Sequence, residues 1–117
     1  MKVWVDGSGA LLAGQIARIC VVFENSKTIE KEIGKKTNNE AEYMALIEAL
    51  KDKDCKNCTI YSDSQLVVGH LTKGWKRRSK NLYDLYSEAS TLMHKKNCKV
   101  EWIPRGKNKA GKILEKK

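Results

Sequence analysis

The stretch from Thr37 to Leu50, TNNEAEYMALIEAL, constrains the fold more than any other part of the chain. Thr37 and Glu40 have the spacing of a capping box, in which each side chain satisfies a backbone N–H that the first helical turn leaves unpaired. The spacing predicts a helix over about residues 38–52. At about 100° per residue, Glu42 shares a face with Ala45, Leu46 and Ala49, and Glu40, Glu48 and Lys51 fall on roughly the opposite side. A carboxylate on an apolar face is costly unless something cationic meets it. The rest of the chain has to supply what meets Glu42.

Before the helix, residues 2–6 alternate and read as a strand that ends at the turn signal Gly7-Ser8-Gly9. Residues 15–24 read as a second strand and residues 27–33 as an edge strand, so the three suggest an antiparallel meander. After the helix, residues 58–62 are short, β-branched and aromatic and read as a buried strand. Asp63 stands in N-cap position for a further helix, whose later part Gly69 and Gly74 weaken. Residues 79–96 read as a longer amphipathic helix, and residues 99–103 as the last strand, closed by Pro104. Residues 106–117 read as a short terminal helix. Strands separated by helices in the second half imply parallel crossovers.

The length, 117 residues, suits one domain with one core, spanning residues 1–117. No apolar run approaches the roughly 20 residues of a membrane span. The start, MKVWVDGSG, lacks a long apolar segment, so the expectation is a cytoplasmic protein with no membrane partner. The net charge of +9 favours a polyanionic partner, although a solvated lysine-rich surface would carry the same charge. The basic residues collect at Lys35-Lys36, at residues 73–78 and from Arg105 onward, which suits a long anion better than a small one. Four cysteines in such a chain do not imply a disulfide framework. Cys55-x-x-Cys58 with His94-x-x-x-Cys98 has the residue types of a zinc site, but the long gap makes the signal weak.

Three acids stand out. Asp6 and Asp63 each end an apolar strand, and Glu42 sits on the buried face of the helix between them in sequence. If the first and fourth strands are parallel neighbours, Asp6 and Asp63 meet at the carboxyl end of the sheet, where open α/β sheets place their chemistry. Three gathered carboxylates suit hard divalent cations such as Mg²⁺, and two such ions can clamp both oxygens of a phosphoryl displacement. Plainer readings stay open: Asp63 as an N-cap only, Asp6 as a turn residue before Gly7.

These residues carry a pattern. Val5-Asp6-Gly7-Ser8, Thr37-Asn38-Asn39-x-x-Glu42 and Tyr61-Ser62-Asp63-Ser64-Gln65 resemble the three N-terminal motifs of type 1 ribonuclease H. Trp102-Ile-Pro-Arg-x-x-Asn108 resembles the start of the fourth, in the form with arginine in place of a loop histidine. The resemblance implies a ribonuclease H-like α/β fold, a five-stranded mixed sheet in the order 3-2-1-4-5 flanked by helices. It implies a monomeric endonuclease that hydrolyses the RNA strand of an RNA/DNA hybrid, leaving 5′-phosphate and 3′-hydroxyl ends. Asp6, Glu42 and Asp63 would hold two Mg²⁺ ions, for which Mn²⁺ can substitute. Thr37 would grip a DNA phosphate, and Asn38, Asn39 and Gln65 would lie in the minor groove of the hybrid. Gly7 and Ser8 would run beside the RNA strand, and Arg105 would stand near the scissile phosphate or the product.

The chain departs from this pattern in one serious way. The family's fourth motif reads N-x-x-A-D, whereas here the run is Asn108-Lys-Ala-Gly111-Lys112, which sets Lys112 in the place of the fourth carboxylate. Glu115 lies one turn on. Either three carboxylates still hold the metals, with Lys112 turned outward or on a phosphate, or the second metal is weakened and catalysis is slow or favours Mn²⁺. The alternative function is a catalytically weakened or silent hybrid- or RNA-binding module, and a third reading is a small structural domain. The glycine-rich loop is short, and the basic protrusion is reduced to residues 74–78, where Trp75 serves either a DNA sugar or the core. The implied fold also places Cys58 and Cys98 near the starts of neighbouring strands, within reach of a disulfide if their Cα atoms are no more than about 7 Å apart.

Overall fold

The computed structural model describes residues 1–76 and 79–116. Arg77 and Arg78 of the second basic patch and the terminal Lys117 lie outside the described residues. Five strands, β1 (Lys2–Ser8), β2 (Arg18–Phe23), β3 (Thr28–Glu32), β4 (Thr59–Ser62) and β5 (Lys99–Trp102), form one sheet in the order β3-β2-β1-β4-β5. The first three are antiparallel; β4 runs parallel to β1, and β5 parallel to β4. The helices are α1 (Asn38–Lys51), α2 (Gln65–Thr72), α3 (Lys80–Lys96) and α4 (Lys109–Glu115), the last preceded by a 3-10 turn at Arg105–Lys107. This is the expected ribonuclease H-like arrangement. No described helix is long and apolar enough to cross a membrane.

The sheet divides the apolar residues between two faces. Val3, Val5, Ile19, Val21, Phe23, Ile60 and Val100 face the main core under α1, α2 and α3. Cys20, Val22 and Trp4 face a smaller cluster closed by Ala110 and Leu114 of α4. Period-2 alternation along β1 sends Val3 and Val5 to one side and Trp4 and Asp6 to the other. Trp4 stacks on Tyr61 at 5.8 Å, and Lys109 Nζ lies 4.3 Å from the Trp4 ring centre.

The capping box at the start of α1 forms as its spacing predicts. Thr37 Oγ1 accepts from the Glu40 amide at 3.2 Å, and Glu40 Oε1 accepts from the Thr37 amide at 2.9 Å. The helix is less amphipathic than its charges suggest. Ala41, Glu42, Tyr43, Ala45, Leu46, Ile47, Ala49 and Leu50 are all buried, because the sheet covers one flank and α3 another. Glu48 is half-buried and pairs with Lys31 at 2.8 Å.

Four local expectations are corrected. β1 continues past Asp6, because Gly7 and Ser8 still pair with Ile19 and Arg18. β2 begins at Arg18 rather than residue 15, after a loop in which Leu11 and Leu12 are exposed. α2 runs through Gly69, and the missing side chain there has a use: a Cβ would meet the Trp75 ring at 2.2 Å. Trp75 therefore lies on α2 while staying 44% exposed. Finally, the N-cap of α2 is Ser64, whose hydroxyl accepts from the Val67 amide at 3.2 Å. Asp63 stands one residue outside the helix, and its carboxylate is not consumed by capping.

Candidate active site

The parallel pairing of β1 with β4 sets the site. Val5 lies opposite Ser62, so the next residues, Asp6 and Asp63, leave the sheet side by side. Glu42 arrives from α1, which approaches the end of β1 unusually closely. A Cβ on Gly7 would stand 2.3 Å from the Ala41 carbonyl and 2.6 Å from the Glu42 amide nitrogen, and one on Gly9 2.3 Å from the Asn38 nitrogen. Only glycine permits this approach. It is locked by Gly7 N–H donating to Glu42 Oε1 at 2.9 Å and Gly9 N–H donating to Asn38 Oδ1 at 3.1 Å.

As a result, one carboxylate oxygen from each of Asp6, Glu42 and Asp63 lies within 4.8 Å of the other two. Asp6 and Glu42 are 8% and 7% exposed, and Asp63 is half-buried. Among the described residues none of the three forms an ion pair with a lysine or arginine. Burial, and then the charge of Asp63, raises Asp6 to about 6. Burial, then Asp6, then Asp63, pushes Glu42 up to about 9. A buried cluster of acids with no ion-paired lysine or arginine among the described residues, and only the more distant charge of Arg105 to favour ionisation, fits a hard divalent ion with oxygen ligands.

Asn108 holds the cluster together, a role that sequence reasoning did not assign to it. Its side chain is fully buried. Nδ2 donates to the Val5 carbonyl at 2.9 Å and to Asp63 Oδ2 at 3.1 Å, and Oδ1 accepts from the Ala110 amide at 3.1 Å. One amide thus ties the end of β1, the Asp63 carboxylate and the start of α4. Trp102 Nε1 adds a bond to the Asp63 carbonyl at 3.2 Å.

Asp6, Gly7, Ser8, Asn38, Glu42, Asp63 and Arg105 line one cleft of about 170 Å³, together with Leu114 and Glu115. Thr37 and Asn39 flank Asn38 at the start of α1 outside that lining. Gln65 lies in an adjoining groove with Trp75 and Trp102. Lys112 is exposed and does not line the cleft. The α4 position that faces the acids is Gly111: a Cβ there would stand 3.3 Å from Asp6 Oδ2 and 3.6 Å from Asp63 Oδ2. One residue along a helix is a rotation of about 100°, so Lys112 turns outward, one of the two outcomes that its place in the motif left open. Arg105 reaches across the cleft mouth to Glu115, Nε to Oε1 3.1 Å. His70 is buried with its Nδ1 2.6 Å from the Tyr43 hydroxyl, and His94 is exposed on α3, so neither lines the cleft.

A 3-2-1-4-5 mixed sheet with acids at the tips of β1 and β4 and on the flank of α1 defines a ribonuclease H-like domain. The family model described as RNase H matches residues 1–112. The bifunctional protein Rv2228c of Mycobacterium tuberculosis is 35% identical over 83 residues, covering 68% of this chain and 23% of that protein. The chain thus spans about a quarter of the length of these first relatives. The RNase H1 structure of Halobacterium salinarum superposes with a TM-score of 0.81 at 27% identity, over 97% of this chain and 92% of that one. LC11-RNase H1, solved in complex with an RNA/DNA hybrid, gives 0.79 at 27% identity, over 97% and 91%. The chain belongs to the ribonuclease H family, in its type 1 branch.

Proposed function

We propose that this protein is an endoribonuclease that hydrolyses the RNA strand of RNA/DNA hybrids with the help of divalent cations. The observation that carries the reading is the convergence of Asp6, Glu42 and Asp63 from three elements, in a cleft flanked by Gly7, Ser8, Asn38 and Arg105. The three carboxylates would hold two Mg²⁺ ions, with Mn²⁺ as a substitute. When bound, the metal neutralises the acids, polarises the phosphate and lowers the pKa of a water molecule.

The chain's own groups supply the rest. Asp6 and Asp63 are fixed by strand register and Glu42 by the Gly7 amide, so the cluster is organised before substrate arrives. Water adds to the phosphorus and the bond to the 3′-oxygen breaks, giving 5′-phosphate and 3′-hydroxyl ends. Gly7 and Ser8 lie at the cleft wall, where close backbone approach suits reading of the 2′-hydroxyls that tell RNA from DNA. Thr37 Oγ1 accepts a bond from the Glu40 amide and keeps its own proton to donate to a DNA phosphate, at a helix N-terminus that favours anions. Asn38 in the cleft, Asn39 beside it and Gln65 in the neighbouring groove would read the minor groove. Arg105 at the cleft mouth meets the scissile phosphate or the product, and the exposed lysines provide the salt-dependent part of binding.

The test is cleavage of an end-labelled hybrid with Mg²⁺ and with Mn²⁺, beside matched RNA and DNA duplexes. Only the RNA strand of the hybrid is expected to be cut, and Asp6→Asn or Asp63→Asn is expected to abolish cutting. Activity that survives either substitution overturns the assignment.

A further inference from the structure

At the opposite end of the sheet the chain writes the same tripeptide twice. Lys56-Asn57-Cys58 enters β4, and Lys96-Asn97-Cys98 enters β5. The two copies fold alike. Asn57 and Asn97 both take the left-handed conformation, each at φ 54°. Cys58 Sγ donates to the Lys56 carbonyl at 3.4 Å, and Cys98 Sγ donates to the Lys96 carbonyl at 3.6 Å. The turns are cross-linked: Asn97 Nδ2 donates to Asn57 Oδ1 at 2.7 Å, and the Asn57 amide to the Lys96 carbonyl at 3.0 Å. The left-handed residue aims each sulfur inward, toward Cys55. Cys55 Sγ and Cys98 Sγ are 3.7 Å apart, and the sulfurs of Cys55, Cys58 and Cys98 all lie within 4.8 Å of one another. All three residues are buried and carry free thiols, and the disulfide between Cys58 and Cys98 that the implied strand neighbourhood put within reach is absent from this structure.

We infer that Cys55, Cys58 and Cys98 form a structural site for a soft divalent cation, zinc by preference, bound by three thiolates. With Zn–S bonds of about 2.3 Å, two thiolates on a tetrahedral zinc stand about 3.8 Å apart, which is the spacing Cys55 and Cys98 already have. The three thiol protons leave as the metal binds, so the site goes from neutral thiols to a net charge of −1. Lys96 offsets it: its Nζ donates to the carbonyls of Asp52 at 3.0 Å and Cys55 at 3.4 Å, beside the cluster. A Cu⁺ ion would leave a charge of −2 in the same place, which favours zinc. Among the described residues no fourth histidine, cysteine or carboxylate joins the group, so a solvent ligand would have to complete a tetrahedral site. His94, the ligand the sequence spacing offered, is exposed and stands outside the group. The left-handed Asn97 also serves as the C-cap of α3, so the discriminating feature is the convergence of three buried sulfurs within 4.8 Å, which an apolar role does not require. The metal would pin the loop after α1 to the entries of β4 and β5, far from the acids, and the inference does not rest on the nuclease reading.

The experiment uses the full chain, reduced and stripped of metal, titrated with Co²⁺ and then Zn²⁺. A tight equivalent of Co²⁺ is expected to give an ultraviolet thiolate-to-metal charge-transfer band and strong visible tetrahedral bands, both removed by Zn²⁺. The Asp63→Asn chain keeps these bands, because carboxylates produce no thiolate transition, and Cys20→Ser keeps them too. Cys55→Ser, Cys58→Ser and Cys98→Ser each lose or strongly weaken them. The wild-type spectrum decides the matter even if a serine variant fails to fold. Absence of the thiolate band in wild-type protein whose thiols are shown to be reduced overturns the inference. So does a band that disappears in Asp63→Asn and persists in Cys55→Ser.

Discussion

The amide of Gly7 donates to Glu42 Oε1 at 2.9 Å, across a contact between β1 and α1 that leaves no room for a side chain. A methyl at position 7 would overlap the Ala41 carbonyl, so either the helix moves away or the strand end bends. Either response takes Glu42 from Asp6. Gly7→Ala is expected to lower stability by about 1–3 kcal/mol, as overpacking does. It is also expected to reduce hybrid cleavage far more than the lost folded fraction explains. Thermal denaturation and cleavage rates on the same preparation separate the two effects.

In the absence of divalent ions, the acids make stability fall as pH rises. Asp6 and Glu42 hold their protons in the folded chain to about 6 and about 9, above the ordinary values of 3.8 and 4.5. Their contribution is fully present below about pH 4 and is lost as pH passes through those raised values. Glu42→Gln removes the larger part. In chelator, its melting temperature is expected to exceed that of the wild type by several degrees above pH 9 and to match it near about pH 4. Saturating Mg²⁺ raises the wild type more than the variant. Equal melting temperatures at high pH in chelator would mean that the protein itself already compensates the Glu42 charge.

On α4 it is position 111, a glycine, whose Cβ would approach the acids, while Lys112 is exposed. Gly111→Asp places a carboxylate beside Asp6 and Asp63, where a Cβ at 3.3 Å from Asp6 Oδ2 asks only a flexible side chain to shift. Mg²⁺ is expected to bind at least about tenfold more tightly, a difference of about 1.4 kcal/mol. Lys112→Asp changes exposed charge and is expected to alter Mg²⁺ affinity less than about twofold, as a screened surface charge does. Calorimetric titration of both variants decides it, and an affinity gain for Lys112→Asp alone would show that α4 is set differently from the arrangement described.

How much of this was legible depended on whether a local rule or a rotation carried the information. The α1 start was legible because a capping box is a fixed spacing, and it formed with both bonds. The acids were legible because two strand ends and one apolar helix face are period signals, and parallel pairing brings Asp6 beside Asp63. The direction of Lys112 was not, because α4 has seven residues and a motif letter does not give the phase of a short helix against the sheet. Asn108 was visible as a motif letter, but its three hydrogen bonds depend on β1, β4 and α4 closing together. The burial of α1 nearly all round was hidden too, since α3 lies 29 or more positions further along the chain.

Asn108→Leu tests that closure. The substitution keeps roughly the volume but leaves the Val5 carbonyl and the Ala110 amide without their buried partner, and each such loss costs about 1–3 kcal/mol. The expected total is about 2–6 kcal/mol in denaturant unfolding, with loss of cleavage because Asp63 Oδ2 is no longer held. Asn108→Asp separates the roles. It can still accept from Ala110, so α4 keeps its cap, but it cannot donate to Val5 and adds a fourth negative charge beside Asp63. It is expected to be less stable than the wild type in chelator and to recover part of the difference in Mg²⁺, which Asn108→Leu does not. Recovery by both variants would show that the amide merely fills space.

Arg105 and Glu115 make the last test, because their ion pair spans the cleft mouth with side chains 74% and 55% exposed. A pair so wet contributes about 0–1 kcal/mol, so breaking it is expected to leave the melting temperature nearly unchanged. Its effect is on substrate. Glu115→Gln releases the Arg105 guanidinium and removes a negative charge from the path of the phosphates, so KM for hybrid is expected to fall severalfold at low salt. The gain should vanish as salt screens the charge. Arg105→Ala acts oppositely, raising KM and reducing the slope of affinity against salt by about one ion. If Glu115 instead helped to hold the metal, Glu115→Gln would raise the Mg²⁺ requirement and lower kcat, and a Mg²⁺ titration of the rate distinguishes that result from a change in KM alone.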